Sequence, residues 1–317
     1  MKRYLARRIG ATAGITWLVA SFVFLMIHML PGDPAIMMLS SKDEAPTLEA
    51  IATMRQKLGL DQPIHVQYAR WFSKALRGDL GNSLMTDRPV TQDLAMRIPR
   101  TISLLVPSLP LSVLLGIPLG VTAALHRGTV WDPLVSALAL VGVSTPTFVS
   151  GLLLVLFFAI NLGWLPSSGY VPLGDGPLAF ARYAILPVIS LTLGPMAVIM
   201  RMTRSSVLEQ IQMDYVRTAW AKGLSERVVI YKHVLRNALI PVVTVVGLSL
   251  GSLFSGSVVV EAIYNWPGLS SLLLRAVAYR DYPVVQGTIL SVALGFIVAN
   301  LLTDLSYGFL DPRIRYD

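Results

Sequence analysis

Few of the residues that could do chemistry stand where chemistry would need them. A chain that hydrolyses nucleotide needs G-x-x-x-x-G-K-[ST], whose backbone N–H groups and lysine hold the phosphates. The nearest stretch, Gly251 to Gly256 followed by Ser257 and Val258, has no lysine. Gly247-Leu248-Ser249-Leu250-Gly251 matches the G-x-S-x-G of serine hydrolases, but that motif works only at a strand-to-helix turn with a histidine nearby. Ser249 lies in an apolar run, so packing is the favoured reading and an intramembrane serine hydrolase the remote one. His28, His65, His126 and His233 show no i,i+4 pairing and there is no cysteine, which argues against a metal site built by the protein. Asp304 is the one carboxylate inside an apolar run, and by default a pathway candidate. It lies near the end of its run, so a structural pair with Arg201 or Arg204 is favoured. Glu261, at the mouth of another run, reads as a solvated rim charge. No set of side chains amounts to a catalytic centre: the chain is expected to be no enzyme and to bind no cofactor or metal itself.

What must position these residues is set by composition. Of 317 residues, 54% are hydrophobic and 14% charged, with a mean hydropathy of +0.63. Soluble domains carry about 25% charged residues, so a soluble enzyme, a disordered chain and a disulfide scaffold are all disfavoured. A helix needs about 20 apolar residues to cross a bilayer. Six runs meet that need: Ile9 to Leu30, Thr101 to Leu125, Leu134 to Ile160, Tyr183 to Met200, Ala238 to Val260 and Val284 to Phe309. Together they hold a single formal charge, Asp304. The basic start, Lys2-Arg3 and Arg7-Arg8, resembles a secretory signal, but the run ends in Pro31-Gly32-Asp33-Pro34 with no small-residue cleavage site. It is read as an uncleaved first span with a cytoplasmic N-terminus.

Six spans then put 126–133, 201–237 and the tail 310–317 inside, and 31–100, 161–182 and 261–283 outside. Short inside segments are rich in Lys and Arg, whereas the short outside ones hold only Arg182, Arg275 and Arg280. The net charge of +8 is thus a signal of topology rather than of nucleic-acid binding. The expected divisions are 1–30 (N-terminus and first span), 31–100 (an outer helical segment), 101–309 (a five-helix core) and 310–317 (a cytoplasmic tail). Small-xxx-small spacings at Gly116/Gly120 and Gly247/Gly251 suit close helix packing.

Two hydrophilic segments carry local signals. Outside, Thr47 can cap a helix from Leu48 to Leu58 that stops at Gly59, and Pro63 can open a second that ends near Gly78. The second aligns Ile64, Tyr68, Trp71, Phe72 and Ala75 on one face, which suits a small folded cap or a docking surface. Inside, Asp214 can cap a short helix, Gly223 can end it and Ser225 can cap a second, with Val228, Tyr231 and Leu235 on one side. A helix pair lying on anionic lipid and a lever gripped by a cytoplasmic protein suit this pattern equally. A DNA reader suits it least, because the segment is tethered at both ends.

The segment from Asp214 to Pro241 resembles the cytoplasmic loop of inner-membrane permeases of binding-protein-dependent ABC importers, in the dipeptide, oligopeptide and nickel branch. Further matches in order are Pro31-Gly32-Asp33-Pro34-Ala35, Leu58-Gly59-Leu60-Asp61-Gln62-Pro63, Gly78-Asp79-Leu80-Gly81, Arg201-Met202-Thr203-Arg204-Ser205, Trp266-Pro267-Gly268-Leu269, Arg280-Asp281-Tyr282-Pro283-Val284 and Asp311-Pro312-Arg313-Ile314-Arg315. The resemblance implies an all-α integral membrane protein of six spans that forms half of a translocation pathway. Its implied partners are a second homologous permease subunit, two subunits that hold ATP and Mg, a periplasmic solute-binding protein and membrane lipid. It also implies that Asp214, Tyr215, Arg217, Thr218, Ala219, Ala221, Lys222, Gly223, Leu224 and Ser225 form the ATPase-coupling loop. The general family pattern has a glutamate and two alanines before the glycine. Here Arg217, Thr218 and Ala219 hold those places, so no salt bridge can be carried over from the glutamate. Peptides are the expected cargo, glutathione or a nickel complex the alternatives, and a secondary transporter a rival that would need no ATP.

Overall fold

The computed structural model describes residues 2–29, 36 and 47–310, with side chains described at 10–26, 36, 47–56 and 59–301. The motifs at Pro31 to Ala35 and Asp311 to Arg315, the expected tail beyond Leu310 and the side chain of Asp304 lie outside those described residues. The helices are α1 (Lys2–Met29), α2 (Leu48–Leu58), α3 (Ile64–Leu76), α4 (Val90–Leu125), α5 (Trp131–Ser144), α6 (Thr147–Asn161), α7 (Pro177–Ile211), α8 (Asp214–Ala221), α9 (Glu226–Ile263), α10 (Leu269–Ala278) and α11 (Tyr282–Leu310). Helices α4, α7 and α9, and α11 over Tyr282–Leu301, are long and apolar enough to cross a membrane. Helix α1 contributes a shorter apolar stretch, Gly10–Met26. Large side chains such as Leu114 on α4, Leu140 on α5 and Leu248 on α9 point outward, 65% or more exposed. Such a surface suits lipid, not water.

The third expected span is not one helix. Helices α5 and α6 together are apolar enough to cross, but they bend by 107° between Ser144 and Thr147. Pro146 has no N–H to give and forces the residue before it out of the helical region. Thr145 accordingly sits at φ −83°, ψ 118°.

The chain forms two compact units, residues 1–100 with 267–297 and residues 101–266 with 298–317. In the first, the Thr47 hydroxyl accepts a hydrogen bond from the Ala50 N–H at the start of α2. Gly59 ends that helix at φ +69°, with its own N–H on Gln56 O and that of Leu60 on Arg55 O. Helix α3 begins at Ile64, with Pro63 at the cap position rather than the first helical one, and ends at Leu76. Its Tyr68 and Trp71 rings lie 5.3 and 5.5 Å from that of Phe24 on α1, and the Tyr68 and Ser21 hydroxyls are 2.6 Å apart. Ile64, expected on the same face, is exposed.

Two of the quoted sequence matches meet in this unit. Arg280, at φ +52°, closes α10 and passes the chain to Asp281, which is buried. The Asp281 carboxylate accepts from Ser83 Oγ at 2.5 Å and from the Leu84 N–H at 3.0 Å, just after Gly78-Asp79-Leu80-Gly81. Leu80, Leu84, Val90 and Leu94 pack there with Leu269, Tyr282 and Val285.

In the second unit α7 is the element on which others register. Along α4, Ser108, Ser112, Gly116 and Gly120 recur every fourth residue. Ser108 Oγ donates to Leu104 O and lies 3.3 Å from Val188 O. Ser112 Oγ reaches Thr192 O at 3.0 Å. A Cβ on Gly116 would meet Met196 O at 2.9 Å, and one on Gly120 would meet Met200 O at 2.5 Å. The matching positions on α7 are Val188, Thr192, Met196 and Met200, also four apart. Small residues thus let two backbones touch over three turns, the packing by which helices associate where no hydrophobic drive separates lipid from protein. Helix α5 approaches similarly at Gly142, where an added Cβ would lie 2.8 Å from Ala197 Cβ.

Candidate coupling segment and pathway residues

Helix α7 ends at Ile211, and after Gln212 and Met213 the chain turns into α8. Met213, not Asp214, occupies the cap position, and no side chain caps the helix. Asp214 opens the first turn instead, where a carboxylate favours the positive end of the helix dipole. Gly223, at φ +73°, terminates the segment with its N–H on Trp220 O and the Leu224 N–H on Ala219 O. That is the paired bonding of a left-handed helix end, a conformation that costs a residue with a Cβ roughly 1–2 kcal/mol. Ser225 takes the next cap position through its backbone only, since its side chain makes no cap bond.

The second helix expected here is not separate. Glu226 begins the same continuous helix, α9, that runs to Ile263. Its register also differs from expectation: Val229, Ile230 and Val234 are buried, whereas Val228 and Tyr231 are exposed. Residues Val229–Val234 form a π-helical stretch, and each π turn holds an extra residue that rotates the following side chains. The buried Ile230, Val234 and Ala238 still recur four apart, on a different face from the one expected.

The inward faces of α8 and α9 form one cluster. Val216 and Ala219 of α8 pack with Val229, Ile230, Val234 and Ala238 of α9, Val207 of α7, and Val121 and Ala124 of α4. Ala219 is only 6% exposed, so it secures the segment from within. Asp214, Tyr215, Arg217, Thr218, Ala221, Lys222, Gly223, Leu224 and Ser225 all face outward. Exposed aromatic and basic side chains alternate there: Tyr215, Arg217, Trp220, Lys222, Arg227, Tyr231 and Lys232. The Arg217–Asp214 pair, at 3.4 Å, is local and open to solvent, which makes it weak.

The other candidates fall elsewhere. Ser249 Oγ donates to Val245 O one turn back, at 2.8 Å, as a packing residue does. Glu261 is not a rim charge: it is fully buried, and Thr101 Oγ1 donates to it at 2.6 Å. Just beyond it the chain turns at Asn265, φ +49°, and the Trp266 N–H donates to the Glu261 backbone oxygen at 2.8 Å. Asp304 is carried by α11, and its side chain is outside those described. Arg204 pairs with Asp132 at the start of α5, Nε to Oδ1 at 2.6 Å and Nη2 to Oδ2 at 3.0 Å. That partner went unread in the sequence, although both charges border apolar runs. Tyr264 was also missed. Its hydroxyl donates to Gly151 O at 3.1 Å and lies 2.9 Å from Ser190 Oγ, joining α6 and α7 to the end of α9.

Residues 116–316 match the family described as binding-protein-dependent transport system inner membrane component, and residues 1–105 match its N-terminal region. The chain belongs to that family. The permease is 43% identical over 316 residues to the glutathione transport system permease protein GsiC of Salmonella paratyphi A, with all of both chains covered. It is 43% identical over 317 residues, again with full coverage, to a putative peptide transport system permease protein of Brucella abortus. Among solved structures, a chain of the MetNI methionine ABC transporter aligns at a TM-score of 0.57 and 19% identity, over 69% of the permease and 96% of that chain. The folds are therefore alike. The permease is a multi-pass inner-membrane transport protein, as the resemblance of its loop motifs implied.

Proposed function

We propose that the permease is one of two homologous membrane subunits of an ATP-driven importer of short peptides, and that α8 docks in a cleft of a separate ATP-hydrolysing subunit. The carrying observation is the outward face of α8 and the start of α9, where Tyr215, Trp220 and Tyr231 stand beside Arg217, Lys222, Arg227 and Lys232 with no partner side chain packed over them in the chain's own core clusters. In this reading the segment and both termini are cytoplasmic, ATP and Mg are held by the partner, and a periplasmic binding protein delivers the cargo. The permease makes no bonds; it transmits work. ATP binding favours one arrangement of the ATPase pair and so shifts the population of outward and inward states. Because the inward faces of α8, α9 and the end of α7 share one apolar cluster, displacement of α8 carries those helices with it.

Peptide cargo is supported by likeness to the putative peptide permease of Brucella abortus. Glutathione, itself a tripeptide, is supported to the same degree by likeness to GsiC. A nickel complex is the remaining alternative of the branch. The chain has no cysteine, so single cysteines at Arg217, Ala221 or Ser225 give unambiguous cross-linking sites. Cross-links to the ATPase subunit are expected from all three and not from Ser73→Cys on α3. Absence of cross-links from α8 in an assembled transporter would remove the docking role.

A further inference from the structure

The ion pair between Arg204 and Asp132 joins the end of α7 nearest the coupling segment to the start of the broken helix pair α5–α6. It is bidentate, and the two side chains are 30% and 13% exposed. Paired charge-assisted hydrogen bonds in such a partly dry setting are short and directional. Ser136, one turn along α5, places its hydroxyl 3.5 Å from the same carboxylate. On the opposite side of this turn of α7, a Cβ on Gly120 would lie 3.1 Å from the Arg204 backbone nitrogen, so α4 and α5 both register on it. Helix α8 begins ten residues after Arg204, with only Gln212 and Met213 between the two helices. Val207, four residues before the end of α7, already belongs to the cluster that holds Val216 and Ala219. By contrast, α5 contributes nothing to that cluster. Its apolar contacts are Val135 and Ala139 against Met200 and Ala123, with Gly142 close to Ala197 on α7, and such contacts carry no charge or hydrogen bond. The ion pair is the directional connection from the coupling body to α5.

We propose that Arg204–Asp132 is a positioning strut that passes movement of α8, through α7, to the broken helix pair α5–α6. The proposal rests on the reading of α8 as the ATPase contact. It makes the 107° break at Thr145-Pro146 the place where α6 is re-aimed when α5 is pulled or released. Opposed rigid segments with a two-position joint are the kind of element through which coupling can travel.

The test uses the whole transporter, this permease with its partner permease, ATPase and binding-protein chains, in proteoliposomes with radiolabelled glutathione and a labelled dipeptide as probes. Wild type, Asp132→Asn, Arg204→Gln and the reversed pair Asp132→Arg/Arg204→Asp are compared for assembly, ATP hydrolysed and substrate imported. Coupling free energies between sites usually correspond to factors of about 5 to 150. The strut predicts that each single variant assembles and hydrolyses ATP normally but imports about tenfold less substrate per ATP, and that the reversed pair recovers import. Spin labels on Leu138→Cys of α5 and Glu209→Cys of α7, both exposed, add a readout that mere stability would not move: with the strut intact α5 follows α7 and their separation holds, whereas in Asp132→Asn an ATP-dependent change in that separation should appear. An unchanged import-to-ATP ratio in the single variants overturns the strut, as does loss of assembly in the single variants without recovery in the reversed pair. A wild-type complex that assembles and imports neither probe with ATP would instead overturn the functional reading beneath it.

Discussion

Replacing Gly120 with alanine sets the register of α4 on α7 against a single methyl group. The new Cβ would stand 2.5 Å from Met200 O, 2.7 Å from Thr203 Cβ and 3.1 Å from the Arg204 N. Ordinary contact begins near 3.4 Å, so the α7 backbone would have to retreat by about 0.9 Å, and backbone cannot rotate away as a side chain can. Overpacking of this kind costs about 1–3 kcal/mol, partly offset by the roughly 1 kcal/mol that alanine gains over glycine inside a helix. The net expectation is a loss of up to about 2 kcal/mol, read as a fall of up to about 4 °C in Tm by a thermal-shift assay in detergent. Gly194→Ala is the matched control on α7, because nothing lies within 4 Å of its added Cβ. Gly116→Ala and Gly142→Ala, with nearest contacts of 2.9 and 2.8 Å, belong between the two. Equal stability of Gly120→Ala and Gly194→Ala would refute the close-packed stripe.

Further expectations concern single residues. Tyr264→Phe removes a buried hydroxyl from Gly151 O, while Ser190 keeps its bond to Leu186 O at 2.9 Å; the loss should be about 1–2 kcal/mol in the same thermal assay. Gly223→Pro locks φ near −65° where +73° is required, so uptake should disappear with membrane insertion intact, measured by transport alongside fractionation. Ser249→Ala gives up only a hydroxyl bonded within its own helix, and uptake should stay within about twofold of wild type. Loss of a hydrolytic activity in that variant would revive the hydrolase reading.

Local signals were legible where their cause is local. Thr47 and Gly59 bound α2 as read and Pro63 precedes α3, because a cap, a left-handed turn and a fixed φ depend on few neighbours. Gly223 was legible for the same reason, and the loop motifs identified the family before any geometry was known. Register inside the segment was not: Ile230, Val234 and Ala238 face inward and Tyr231 outward, and two helical faces four residues in period are told apart only by what α7 and α8 pack against. Nor could the sequence show that Thr101 donates to a buried Glu261, or that Arg204 chooses Asp132. Those pairings join residues dozens of positions apart, and only packing selects them. The break at Pro146 lay between the two: proline marks a possible interruption, but its angle depends on what α5 and α6 pack against.

In the proposed importer the work is supplied by another chain. The direct measurement is uptake of radiolabelled dipeptide and glutathione by proteoliposomes that contain the permease alone or the assembled transporter, each with ATP and Mg or with an ion gradient. Import is predicted only for the assembled transporter with ATP and Mg at its ATPase face. Uptake by the permease alone on an ion gradient would contradict it.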